Sequence, residues 1–339
     1  MQDLNKKLRQ KWFKILIGIC VTSLALWLSF RKVDWDVLKE SFLHVNSIWV
    51  SFALVNTILS VYALGWRWQI LLKPKIKIPL GSLFRLNIIS QYVNIIIPGR
   101  FGEVLRAYLA SKQHKVSGGY VIGTIVIEKI LDFIVFVVLW ISVPFFFAME
   151  KEVKGFRIAL FFCLLATLLL FLFIWRPNIV LKWTRALSFL FPKRLRRDFQ
   201  AFCEKGIEAF SLLKSTKILA VVVLLTFGFI TGQVLTIFLL FKAFNLNLSF
   251  WVGLFLLLAI QVGSIPPSAP GKIGVIEYAV ILALSLFTIP KSQALSYAIM
   301  LHLVAFLPKI ILGLIFLPSM DISLKKGSKL LGTKYEQSH

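Results

Sequence analysis

The chain has 339 residues, 58% of them hydrophobic and only 16% charged, with a mean hydropathy of +0.82. A soluble domain carries roughly a quarter charged residues, so a water-soluble globular enzyme is excluded. A net charge of +24 would suit nucleic acid, but the basic residues gather at the ends of apolar blocks, where the positive-inside rule of membrane proteins puts them.

Apolar blocks at 12–30, 47–66, 120–148, 157–175, 218–241 and 293–317 are each about long enough to cross a ~30 Å hydrocarbon core as helix. The short alternating segments of a strand barrel are absent. The basic N-terminus, 1–14, holds Lys6, Lys7, Arg9, Lys11 and Lys14 against Asp3 and is expected in the cytoplasm. No small-residue cleavage site follows Ile15–Leu28, which reads as an uncleaved signal anchor. The first block exits into 31–46, where Arg31, Lys32 and Lys39 are balanced by Asp34, Asp36 and Glu40. The second returns to a basic loop that includes Lys73, Lys75, Lys77 and Arg85. Arg67, near its end, is expected to snorkel to the interface.

Next comes 86–111, broken at Pro98-Gly99-Arg100-Phe101-Gly102-Glu103. Each arm is about twelve residues, or ~18 Å of helix, too short to span. The segment reads as a re-entrant hairpin entering from the cytoplasm. Block 120–148 leads out to the neutral cluster Glu150–Lys154. Block 157–175 leads back to a cytoplasmic loop, 176–217, with ten basic residues against Asp198, Glu204 and Glu208. Within it Ile179, Val180, Trp183, Leu187 and Leu190 fall at helical spacing, as in an amphipathic helix on the inner leaflet. Block 218–241 exits, 250–288 is broken at 266–274, and 293–317 returns to the tail, 318–339. The expected fold is an all-α polytopic membrane protein. A single transmembrane domain, 15–317, holds six full spans and two broken hairpins, with both termini cytoplasmic.

The two breaks match. The first reads Gln91 … Pro98-Gly99-Arg100-Phe101-Gly102-Glu103, the second Gln261 … Pro270-Gly271-Lys272-Ile273-Gly274 … Glu277. By the charge-derived topology they enter from opposite sides, which gives an inverted repeat. Proline ends a helix and glycine permits the reversal. A new helix then begins with unpaired N–H groups and a positive dipole end. Arg100 and Lys272 add charge there, which suits a phosphate or carboxylate. Glu128, Lys129 and Asp132 interrupt an apolar block, and such charges line a cavity or pair with each other. Pairing with Lys129, Arg100 or Arg106 is the structural alternative for the acids. Glu103 and Arg106, three apart, suit an intrahelical pair, and Glu277 is the acid of the second half. His302 and Lys309 are weaker candidates. Cys20, Cys163 and Cys203 lack ligand spacing, hydrolase and nucleotide motifs are absent, and no cofactor or metal is expected.

On PGRFGEVLRAYL at 98–109, EKILD at 128–132 and PGKIGVIE at 270–277, the sequence resembles the lysylphosphatidylglycerol synthetase transmembrane-domain family, also called flippase-like or UPF0104 proteins, over about residues 12–318. Lys129 stands where the family usually has Arg, and Lys272 where it usually has Gly. The resemblance implies movement of lipids between leaflets, in some members of aminoacylated phosphatidylglycerol. Only about twenty residues follow the last block, so the soluble aminoacyl-transfer domain of bifunctional members is expected to be absent. The leading expectation is a flippase or transporter of an anionic or zwitterionic lipid in a prokaryotic cytoplasmic membrane. Arg100 and Lys272 would hold the phosphate, and Arg106, Glu103, Glu128, Asp132 and Glu277 would balance charge or meet a cationic group. The alternatives are a membrane-embedded transferase using a lipid-linked donor, with Glu128 or Asp132 as base, and a non-catalytic partner of a lipid-modifying enzyme. A homo-oligomer is compatible with either.

Overall fold

The structure, a computed structural model, describes residues 18–97, 100–146, 165, 193–266 and 268–318. Among these residues all regular structure is helical. The helices are α1 (Gly18–Phe30), α2 (Trp35–Leu43), α3 (Ser47–Leu72), α4 (Leu80–Ile96), α5 (Phe101–His114), α6 (Gly118–Phe146), α7 (Lys193–Ala209), α8 (Thr216–Ala243), α9 (Phe250–Gly263), α10 (Val275–Ser285) and α11 (Lys291–Phe316). Short 3-10 turns occupy Phe210–Lys214 and Pro270–Lys272.

Helices α3, α8 and α11 are long and apolar enough to cross a membrane. Along α11, Leu303, Leu307, Ile311 and Leu314 form an exposed row, and α3 exposes Phe52, Val55, Leu59, Tyr62 and Trp66. Spacings of three and four put each row on one helix face. Water would not tolerate such contiguous apolar surface; hydrocarbon does. Helix α6 is 29 residues long but carries Glu128, Lys129 and Asp132 in its first half.

Several expectations meet corrections. The second apolar block extends six residues beyond 66, because Arg67 and Trp68 continue the helix as α3. Arg67 does not snorkel; it is buried among acids described below. The arms around the first break are 17 and 14 residues and those around the second 14 and 11. The first pair is longer than expected, yet all four fall short of the ~20 residues of a typical span. The segment 31–46 contains α2, because the Asp34 carboxylate accepts the backbone N–H groups of Asp36 and Val37 at 3.0 and 3.2 Å, an N-cap. Block 157–175 apart from residue 165, the amphipathic stretch 179–190, and Pro98 and Gly99 lie outside the described residues.

The chain divides into two compact units, one of residues 1–63, 88–102 and 228–314, the other of 64–87, 103–227 and 315–339. In the first, Asn56 on α3 donates to the Gly232 carbonyl and to Thr236 Oγ1 on α8, at 2.6 and 2.8 Å. Tyr297 on α11 donates to the Ile237 carbonyl at 2.9 Å. Helix α1 reaches the second break, where Thr22 Oγ1 accepts the Ala269 N–H at 2.9 Å. In the second unit α6 and α7 approach backbone to backbone. A Cβ at Gly119 would lie 2.2 Å from the Phe202 carbonyl oxygen, and one at Gly123 2.3 Å from that of Gly206. Lys75 holds Glu208 of α7 at 2.5 Å, and this ammonium keeps the Glu208 carboxyl below its usual range.

Candidate functional site

Two groups of polar residues stand out, one in each unit. In the second unit α6 presents Thr124, Glu128 and Asp132 on one face, four residues apart. Arg67 from α3 meets Asp132 at 2.5 Å and Glu128 at 3.4 Å, and donates to Thr226 Oγ1 on α8 at 2.9 Å. Arg106 from α5 meets the other Glu128 oxygen at 2.8 Å and donates to Asn87 Oδ1. Its guanidinium lies 4.3 Å from the centre of the Trp68 ring, whose indole N–H is given to Thr124 at 3.1 Å. Lys129 reaches Glu103 at 3.6 Å and Asp132 at 3.9 Å. Glu103 and Arg106 therefore do not form the expected intrahelical pair. Both turn to α6, because unpaired charge on that helix would cost more than a surface pair gains.

The network holds three cations and three anions and is neutral as a whole. Its inner members are sealed: the side chains of Arg67, Glu128 and Arg106 are 1%, 2% and 7% exposed. The outer members are open, with Asp132 at 29% and Lys129 at 45%. Asp132→Asn should therefore cost less stability than changes to Glu128, since water can solvate part of what Arg67 loses. Thermal melting of the two purified variants in one detergent checks that order, and a larger drop for Asp132→Asn contradicts it.

In the first unit the two breaks share a backbone feature. Arg100, immediately before α5, and Lys272, two residues before the Gly274 cap of α10, each have φ of 58°. This left-handed conformation is uncommon for residues with a Cβ. Gly271 and Gly274, at φ 70° and 84°, need it outright. Gly102 serves differently, by close approach. A Cβ there would sit 1.9 Å from the Ser90 carbonyl oxygen, and its N–H is given to Asn94 Oδ1 at 2.7 Å. Near the second break, Glu277 Oε2 accepts the Gly274 N–H at 2.6 Å, and its Oε1 lies 2.7 Å from His302 Nδ1. Glu277 thus caps its own helix and is tied to α11, whereas Glu103 is tied to Lys129. The two matched acids have different partners.

The breaks also meet in space. A Cβ at Gly271 would be 4.0 Å from Ile95, and the charges of Arg100 and Lys272 repel one another. Gln91 from α4, Gln261 from α9 and Lys272 all line one cavity of about 240 Å³, together with Gln233 of α8 and His302 and Lys309 of α11. The rest of the wall mixes the hydroxyls of Thr57, Ser60, Thr236 and Ser264 with apolar residues such as Val61, Ile237, Leu257 and Leu301.

With this arrangement in view, a match over most of the chain is decisive: the family described as the lysylphosphatidylglycerol synthase TM region is matched over residues 15–313. The chain belongs to this family. A UPF0104 membrane protein of Methanocaldococcus jannaschii is 30% identical over 244 residues, 70% of this chain and 98% of that protein. Another UPF0104 membrane protein of the same organism is 22% identical over 334 residues, 93% of this chain and 98% of that protein.

The structure divides the expected site between the two units. Glu103, Arg106, Glu128 and Asp132 form the network of one unit; Arg100, Lys272 and Glu277 stand at the breaks of the other. Sequence reasoning undervalued Lys309, His302 and the three glutamines, because a lone polar residue in an apolar helix gives no pattern to read. Gln91 and Gln261 did carry a signal, their matched positions seven and nine residues before the two prolines.

Proposed function

We propose that the chain moves an anionic or zwitterionic lipid between the leaflets of a prokaryotic cytoplasmic membrane. The observation that carries this reading is the cavity lined by Gln91, Gln261 and Lys272. Residues from two sequence-matched breaks converge there inside a protein whose outer face suits hydrocarbon. Polar groups at such depth line a substrate path or pair with each other. The ion network does the second; the cavity's amides and lysines suit the first. Membership of a family named for lysylphosphatidylglycerol synthase also supports a lipid substrate. We read the breaks as an inverted repeat, a plan on which transporters alternate access about a central site.

Reconstitution in liposomes tests the activity. Arg100→Ala and Lys272→Ala should each slow exchange of a fluorescent phospholipid at least tenfold, while yield and melting temperature stay near those of the parent. Lys272 is half-buried and Arg100 exposed; removing one partner of a buried charge pair costs about 2–5 kcal/mol, so the loss at Lys272 should be the larger. Normal exchange in both variants contradicts the reading.

Orientation has its own test. In a background without Cys20, Cys163 and Cys203, a cysteine at Lys242 should react with a membrane-impermeant maleimide from outside intact cells. One at Lys193 should react only after lysis. Labelling of both from the same side removes the opposed entry of the two hairpins.

A further inference from the structure

We infer that the cavity among α3, α4, α8, α9 and α11 selects a phosphate ester headgroup that carries no ammonium, and that aminoacylated or ethanolamine headgroups are excluded from it. The inference rests on the lipid-transport reading for its substrate and on the cavity's charge for its selectivity.

The charge is one-sided. Among the described residues no aspartate or glutamate lines the cavity. Lys272 and Lys309, both half-buried, have no carboxylate within ion-pair distance among those residues. Lys309 faces the Phe306 ring, its ammonium 6.0 Å from the ring centre, and Arg100 adds repulsion to Lys272. The third titratable group, His302, is already matched by Glu277 at 2.7 Å. Glu277 itself is not among the residues that line the cavity. Two ammonium groups therefore remain for a ligand to neutralise. The contrast with the network in the other unit is direct, because there every cation has its acid.

A second observation points to a ligand. Gln91 Nε2 is shut off from solvent with no hydrogen-bond partner among the described residues. Buried donors left unsatisfied are rare and costly, and this one lines the same cavity as the lysines. A phosphate oxygen offers what the amide and the ammonium groups lack. A headgroup amine would add a third cation beside Lys272 and Lys309, with no carboxylate to receive it. The volume, about 240 Å³, lies below the ~300–1,000 Å³ of whole drug-sized sites. It suits a headgroup and leaves the acyl chains in the bilayer.

The test uses the full chain in detergent and measures binding of dihexanoyl phosphatidate, dihexanoyl phosphatidylglycerol, dihexanoyl phosphatidylethanolamine and inorganic phosphate by thermal shift. The first two should stabilise the protein at concentrations at least tenfold below the third. Lys309→Met should weaken phosphatidate binding about thirtyfold or more. It should also melt no lower than the parent, since it removes an unpaired charge from an apolar setting. The same lipids with labelled acyl chains, and labelled lysylphosphatidylglycerol, are then followed between leaflets in phosphatidylcholine vesicles. Equal binding or exchange of the ammonium-bearing lipids overturns the selectivity and leaves transport standing. Phosphatidate binding unchanged in both Lys309→Met and Lys272→Gln overturns it as well. Selective binding without exchange of any lipid upholds the site and overturns the transport reading. Inorganic phosphate binding as tightly as the short-chain lipids moves the site from a lipid headgroup to free phosphate, and so overturns the lipid assignment.

Discussion

Glu128→Gln should destabilise the protein by about 3–5 kcal/mol, the usual cost of removing one partner from a buried ion cluster. Glu128 is the joint acid of two arginines, with one oxygen 3.4 Å from Arg67 and the other 2.8 Å from Arg106. An amide fills nearly the same space but carries no charge and turns donors toward donors. Arg67 keeps Asp132, but Arg106 loses the one carboxylate in contact with it among the described residues and stays stacked on Trp68, shut off from water. Melting in detergent should drop well below the parent, and yield should fall with it. The double variant Glu128→Gln with Arg106→Met should recover part of the loss, because it removes the stranded cation. A Glu128→Gln protein that melts like the parent would show that the network is not holding the fold.

Gly102→Ala is expected to be nearly as damaging, for a reason of shape. The new methyl group would fall 1.9 Å from the Ser90 carbonyl oxygen and 2.7 Å from the Asn94 amide oxygen. The first neighbour is backbone within α4 and cannot swing aside, so α4 and the start of α5 must separate. Overpacking costs typically about 1–3 kcal/mol where side chains can adjust, and a backbone obstacle places this site at the top of that range. Gly228→Ala is the control. It lies in α8 with nothing within 4 Å of the added methyl, and alanine is the better helix former. Equal melting temperatures for the two variants would contradict the close packing at the first break.

The all-helical plan was legible because it rests on block length, which reads directly as helix; α3, α8 and α11 fall on three of the six expected spans. The breaks were legible because Pro-Gly followed by a basic residue and a further glycine is a local instruction to stop, turn and restart. Arg67 was misjudged for the opposite reason. Its role depends on Glu128 and Asp132, some sixty residues away, and nearness to the end of an apolar block favoured the interface. The division of the site residues was equally invisible. Glu103 and Gly102 are adjacent in sequence, yet Gly102 packs on α4 while Glu103 turns to Lys129 on α6. Lys309 had no neighbour to form a motif with, and its cavity-lining position comes from the fold alone.

The neutral network also bears on how the protein is made. Arg67, Arg106 and the three charges of α6 arrive on separate segments as the chain emerges. Each would cost about 2.5–3.5 kcal/mol to pass singly into lipid at mid-membrane depth. Pairing cancels most of that penalty, but Arg67 finds Asp132 only after another 65 residues have been synthesised. Entry helix by helix would leave these charges unpaired until α6 is made, so joint entry of the segments from α3 to α6 is the expected order.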